Sequence, residues 1–381
     1  MAAPAGRDGL AYLDHAATSP LRPEALTAML PYLTEHFGNP SGSHSVSRRA
    51  LRAVDEAREV VGTLVGCDPG EVVFTSGGTE ACNMAVLGVR AATGGEVVCS
   101  AFEHHAVLDA VAACGGRTVP VTPEGVLDLE ALEGLLHRDV RLVSVMLANN
   151  ELGTLQPLAE VADRVRRAAP EAVVHSDAVA AGAWVDLADD AGEVQLVSLG
   201  AHKFGGPKGV GALVVRRGTV LARLMHGGGQ ERDRRPGTHH VAGIVGMAAA
   251  LQAAVSARPE ESARVEGLRD RLAQGLRVSV EGARETAGGD RRLPGTCHLL
   301  FEGVDQEELL LLLDQEGVCA SGGSACASGA LEASHVLLSL GLSPARARQA
   351  IRFSLGWDST GADVERALAV VPKAVARLRS R

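Results

Sequence analysis

Seven short apolar runs recur between Val72 and Val215, each set off by a stretch with helical spacing: Val72 to Phe74, Val97 to Cys99, Arg117 to Val119, Leu142 to Met146, Val173 to His175, Gln195 to Leu199 and Ala212 to Val215. Apolar runs of this kind between helices predict an α/β fold whose mostly parallel sheet is covered on both faces. In such sheets ligands gather at the carboxyl ends of the strands. Upstream, Ala11-Tyr12-Leu13 predicts a short strand that breaks into a polar turn ending at Pro20, and a helix follows near Glu24 to Leu33. The segment His36 to His44 is too rich in Gly, Asn, Pro and Ser to be an element interior and has the make-up of a site-lining loop. Ala50, Val54, Ala57, Val61 and Leu64, spaced by threes and fours, predict a long amphipathic helix.

Beyond the sheet, the alanine-rich stretch Val241 to Ala257 leads into the charged helical stretch Arg264 to Leu276. A domain boundary is expected inside this region, giving a large domain over 22–254 and a small one built from 1–21 and 255–381. In the small domain, strands at Cys297 to Phe301 and Gly317 to Ala320 alternate with helices at Gln306 to Gln315 and Ala345 to Ala350, an α+β pattern.

The strand ends carry the chemistry. The first run ends in Thr75-Ser76-Gly77-Gly78-Thr79-Glu80 and continues as a helix; free N–H groups and the helix dipole make that start an anion site, although such a turn can equally serve only as a cap. Later runs end in Glu103-His104, Asn149-Asn150-Glu151, Ser176-Asp177 and His202-Lys203. Asp177 suits a helix N-cap as well as a partner for a buried cation. Lys203 lies in the glycine-rich turn Ser198 to Gly209 between two apolar runs, where a desolvated lysine loses its proton and becomes a Schiff-base amine; a solvated loop lysine is the alternative. Taken together, the anion site, imidazole, amide, carboxylate and amine match the groups that hold pyridoxal phosphate.

Composition narrows the partners. With 46% hydrophobic and 22% charged residues in 381, the chain is an ordinary globular protein. A formal net charge of -9 argues against nucleic-acid binding, which needs a concentrated basic surface. Seven scattered cysteines with no secretory signal and no CxxC pair predict a reducing, cytoplasmic setting and no metal site. No uninterrupted apolar run approaches a membrane span. Six of the thiols, Cys67, Cys82, Cys99, Cys114, Cys297 and Cys319, read as small hydrophobes. The seventh, Cys326, lies in Ala320 to Ala330, a stretch built almost wholly of Gly, Ala and Ser that predicts an exposed, mobile thiol suited to carrying sulfur.

From Tyr12 to Leu378 the chain resembles the cysteine desulfurases, class V members of the fold-type-I pyridoxal-phosphate enzymes. The motifs that carry this are Tyr12-Leu13-Asp14 with Ala17-Thr18, Gly38-Asn39-Pro40, Thr75-Ser76-Gly77, Glu103-His104, Asn149-Asn150-Glu151, His202-Lys203, His226-Gly227-Gly228-Gly229, Gly237-Thr238, Ser324-Ala325-Cys326 and Arg352-Phe353-Ser354. The long loop around Cys326 resembles the iron-sulfur and nitrogenase-type subgroup. The resemblance implies that Lys203 carries the cofactor, Asp177 pairs with its ring nitrogen, His104 stacks on the ring and Asn150 reaches its phenolic oxygen. It also implies that Gly78, Thr79 and His202 bind the phosphate, that Thr238 reaches the phosphate of the partner in a homodimer with shared sites, and that Arg352, with Asn150 and Asn39, holds the substrate L-cysteine. Cys326 would take the sulfur as a persulfide and pass it to an acceptor protein. Two positions depart from the family pattern: Ala180 stands where a Gln is usual, and Gly200 where a Ser is usual. Selenocysteine lyases share the fold, as would a non-catalytic scaffold member.

Overall fold

The computed structural model describes residues 9–287, 291–323 and 333–380. Cys326 therefore lies outside the described residues.

The seven expected runs form one sheet, in the spatial order Val72–Thr75, Gly211–Val215, Leu196–Gly200, Val173–Asp177, Val140–Ser144, Glu96–Ser100 and Arg117–Val119. Gly211–Val215 is antiparallel to both neighbours, and every other pairing is parallel. Boundaries agree with the sequence pattern to within two residues. The fourth strand differs most, lying at Val140–Ser144; Val145 and Met146 stay buried but lead out of it towards the site.

Alternation along the strands divides the core between two faces. Val73, Val97, Leu142, Leu196 and Leu213 pack under the helices Gly78–Thr93 and His105–Ala113. On the opposite face Val72, Phe74, Val143, Val174 and Val197 pack under Ser45–Val65 and Leu158–Ala168.

One helix, Val241–Ser279, runs for 39 residues. Its buried residues up to Ala254 belong to the core of the large sheet, whereas Val265, Leu272, Ala273 and Leu276 belong to a second core. By length and composition this helix could cross a membrane, but it is no uninterrupted apolar run, and many of its apolar side chains are taken up by these two cores.

The second core surrounds an antiparallel sheet of Ala350–Ser354, Thr296–Phe301 and Ala283–Glu285. The expected helix Ala345 to Ala350 is corrected here to a single turn, Pro344–Ala347, with Ala350 opening a strand. Pairing of Ile351 and Phe353 with Leu299 and Cys297 outweighs the helix propensity of the Ala/Arg-rich stretch before it. The chain start joins this body: Ala11–Tyr12 pairs in parallel with Val318–Cys319, and Leu13 O accepts from Ser354 N at 2.7 Å.

Candidate active site

At the carboxyl ends of Leu196–Gly200 and Val173–Asp177 a cavity of about 210 Å³ is lined by Gly78, Thr79, His104, Asn150, Asp177, Ala180, His202 and Lys203, with Ala17, Ala106, Met146, Ala148 and Val179. Lys203 ends a short 3-10 turn, Ala201–Lys203, that follows its strand directly. Its Nζ donates to Ala17 O at 2.9 Å and to Ala16 O, so the polar turn after the first strand holds the amine in place. Asp177 is 5% exposed, and its Oδ1 accepts from Val179 N at 2.9 Å. The carboxylate thus caps a local turn and lines the cavity at once.

The opposite wall is built for an anion. Gly77 caps the helix Gly78–Thr93 with φ 153°, a backbone state that favours glycine. At Gly78 a Cβ would stand 2.6 Å from Val179 Cγ2, well inside contact distance, so only glycine brings the backbone this close. The first N–H groups of the helix have no partner within it. Glu80, one turn in, is drawn away by Arg235 Nε at 2.8 Å and accepts from Ser76 N at 2.6 Å. Burial alone would raise its pKa, but these bonds hold it below the ordinary range. His202 is neutral: burial, then the charges of Lys203 and Lys208, push its pKa down to about 4. Its Nδ1 lies 3.2 Å from Thr18 Oγ1.

His104 caps the helix His105–Ala113, its Nδ1 accepting from Ala106 N at 3.1 Å, which fixes the ring at the cavity wall. Arg352, only 3% exposed, donates from Nη1 to Asn150 O at 3.0 Å and from Nη2 to Asp14 Oδ1 at 2.9 Å. Its buried Nε has no hydrogen-bond partner among the described residues. Two buried carboxyls flank this wall, and the sequence reading gave neither a role. Burial pushes Glu103 up to about 8, although Ser100 Oγ and Met146 N donate to its Oε1. Burial likewise raises Glu151 to about 7. Neither follows its strand directly, the strands ending at Ser100 and Ser144, so no local sequence signal marks either carboxyl as buried.

Asn39 and Thr238 are exposed and do not line the cavity of their own chain. The loop carrying Thr238 is nonetheless fastened to the large body. Glu231, Arg232 and Asp233 have φ of 49°, 53° and 64° in succession, a left-handed turn without glycine. Buried Glu231 fastens it, accepting from Arg58 Nη1 and Nη2 at 2.7 Å each and from Phe74 N at 2.9 Å, with His239 Nε2 at 2.7 Å.

The departures at Ala180 and Gly200 have a visible setting. A Cβ on Gly200 would stand 3.1 Å from Val179 Cγ1 and 3.6 Å from Gly78 N, so a side chain here would enter the anion cradle. Ala180 lines the main cavity and also a second chamber of about 30 Å³, with Asn150 and Lys203 as the other shared walls. That chamber is closed by Trp184, Trp357, Ser354 and His15, whose Nε2 lies 2.7 Å from Asp358 Oδ1.

The donor set fits pyridoxal phosphate on the structure's own terms: a glycine-lined anion cradle, a buried carboxylate and a tethered primary amine share one cavity. Comparisons with known proteins agree. The model of the family described as aminotransferase class-V matches residues 11–367. An IscS-like cysteine desulfurase of Mycobacterium tuberculosis is 44% identical over 385 residues, covering 97% of each chain. A solved structure described as a NifS-like protein superposes with a TM-score of 0.90 at 34% identity, over 97% of this chain and all of its own. One described as SspA in complex with cysteine superposes with a TM-score of 0.78 at 32% identity, over 90% of this chain and 98% of its own. The chain belongs to the class V aminotransferase family and, within it, to the cysteine desulfurases.

Proposed function

We propose that the protein removes sulfur from L-cysteine with pyridoxal phosphate, releasing L-alanine and holding the sulfur as a persulfide on Cys326 for transfer to an acceptor protein. The observation that carries this reading is the single cavity shared by Lys203, Asp177 and the glycine-opened helix start at Gly78. When bound, the cofactor supplies the electron sink for bond changes at the substrate. Lys203 would hold its aldehyde, Asp177 its ring nitrogen and His104 its ring face. Asn150 would reach the phenolic oxygen, and Gly78, Thr79 and His202 the phosphate. Arg352 would take the substrate carboxylate, helped by Asn150 and Asn39.

Thr238, exposed on a loop fastened through Glu231, would serve the phosphate of a second copy, making a homodimer with shared sites. The division into domains 22–254 and 1–21 with 255–381, and a cytoplasmic location, belong to the same reading.

Among the thiols, Cys326 is assigned the nucleophile by resemblance, and five of the other six are poorly suited to the role. Burial pushes Cys67 up to about 11 and Cys297 to about 12, and raises Cys82, Cys99 and Cys114 too, which leaves them protonated and unreactive. The Cys326 thiolate would form an S–S bond to the substrate sulfur as the substrate C–S bond breaks.

The test is alanine release and trapped persulfide from purified protein, cofactor and L-cysteine. Lys203→Ala is expected to make no alanine and to lose cofactor fixation by borohydride. Cys326→Ser is expected to bind cysteine yet make neither product. Undiminished alanine from Cys326→Ser would move the nucleophile, with Cys319 next in line.

A further inference from the structure

Glu151 is 2% exposed and stands where three elements meet. Its own turn is fixed by Asn149, whose Oδ1 accepts from Glu151 N and Leu152 N at 2.9 Å each while its Nδ2 donates to Phe102 O at 3.0 Å. Ser334, the cap of the helix His335–Ser339, donates from Oγ to Glu151 Oε2 at 2.6 Å. On the other side, a Cβ added to Gly323 would stand 2.2 Å from that same Oε2 and 2.9 Å from Ser334 Cβ. One carboxyl oxygen therefore touches two rim positions of the second body, and Gly323 has no side chain to push it away. The charged or titratable groups that face Glu151 are Arg352, from the strand Ala350–Ser354, and His104, from the cap of His105–Ala113. Arg352 itself also meets Asp14.

We propose that Glu151 is a positioning residue that couples the Arg352 subsite to the rim at Gly323 and Ser334, and that it takes up a proton from solvent when a carboxylate ligand occupies Arg352. This rests on the reading that Arg352 receives the substrate carboxylate. Burial favours the neutral acid; the Ser334 bond and the charge of Arg352 oppose it, with a smaller contribution from the His104 imidazole, leaving the balance at about 7. A ligand carboxylate at Arg352 cancels the nearer charge, so the proton is held more tightly and the balance moves up. The neutral carboxyl still accepts from Ser334, and its new O–H adds a second side-chain donor beside the Ser334 hydroxyl at this rim. Substrate occupancy is thereby converted into a firmer seam between the two bodies.

The experiment is calorimetric titration of the holoenzyme with L-alanine in two buffers of different ionisation enthalpy, which reads protons taken up per ligand bound. At about pH 8 the wild type is expected to take up a substantial fraction of a proton, and at about pH 6, where Glu151 is already neutral, almost none. Glu151→Gln, which copies the neutral acid, is expected to bind L-alanine with the pH 8 uptake removed. Ser334→Ala removes a bond that favours the anion, so its uptake is expected to move to higher pH. Equal uptake in wild type and Glu151→Gln overturns the proposal. Alanine affinity unchanged in Arg352→Ala would instead overturn the reading of Arg352 on which it rests.

Discussion

Arg352 Nη2 meets Asp14 Oδ1 at 2.9 Å, while Nη1 of the same guanidinium meets Asn150 O at 3.0 Å. One planar fork thus spans the first strand's turn and the turn beside the cavity, with its Nε still without a hydrogen-bond partner among the described residues. A lysine ammonium cannot reproduce this fork. Arg352→Lys is expected to raise the KM for L-cysteine by about tenfold or more, roughly 1.4 kcal/mol, with a smaller change in kcat. Steady-state kinetics decide it, and an unchanged KM would show that the substrate carboxylate binds elsewhere.

Ala180 lines both the candidate cofactor cavity and the small chamber bounded by Trp184 and Trp357. A Gln here would add a donor beside the phenolic oxygen and favour its anionic form. Ala180→Gln is expected to move the pH titration of the cofactor's visible band downward. One such hydrogen bond, about 1 kcal/mol, corresponds to less than one pH unit. Superimposable titrations would mean that the new side chain turned into the small chamber instead.

Glu103 is buried, and its folded pKa of about 8 lies far above the ordinary carboxyl value. Between roughly pH 4 and 8 the folded protein keeps a proton that the unfolded chain releases, so stability falls as pH rises through that window. Glu103→Gln removes the penalty while keeping an oxygen to accept from Ser100 and Met146. Thermal unfolding is expected to show the variant more stable than wild type at about pH 8, with the two converging near pH 4. A variant less stable at both would mean that the carboxylate form is needed in the fold.

Glu231 behaves in the opposite sense. Burial would raise its pKa, but the Arg58 fork, His239 and the Phe74 N–H outweigh it and hold it at about 2. Its contribution is present above roughly pH 4.5 and is lost as pH falls towards 2. Glu231→Gln is therefore expected to be less stable at neutral pH by a few kcal/mol and to show a flatter acid limb. Denaturation measured across the acid range checks both, and parallel pH curves for the two proteins would refute the assignment.

Much of the sheet was legible because its strands are buried on both faces, which leaves unbroken apolar runs such as Val72 to Phe74 that no exposed element would carry. The same logic located Lys203 and Asp177, since a charged residue ending such a run has few places to go. The second body was harder to read. Ala345 to Ala350 has helix-forming residues, and nothing within it reveals that Ala350 onward will lie against Thr296–Phe301. Local patterning is also blind to pairs such as Asp14 with Arg352 or Glu151 with Ser334, whose partners are separated by most or half of the chain. The raised carboxyls at Glu103 and Glu151 emerge only once burial is known, because nothing in their immediate neighbours distinguishes them from solvated glutamates.

The placement of the chain start bears on how the molecule comes into being. The carbonyls of Ala16 and Ala17 hold the Lys203 amine, yet the segment before them is pinned to Val318–Cys319 and to Ser354. On a ribosome the large sheet has all its strands once Val215 has emerged, whereas the clasp around the lysine must wait for Val318–Cys319 and Ser354, which follow the whole of that sheet. A segment that precedes every strand of the large sheet is thus fastened by segments that follow all of them, and the lysine's clasp closes only after the last strand of that sheet has been made.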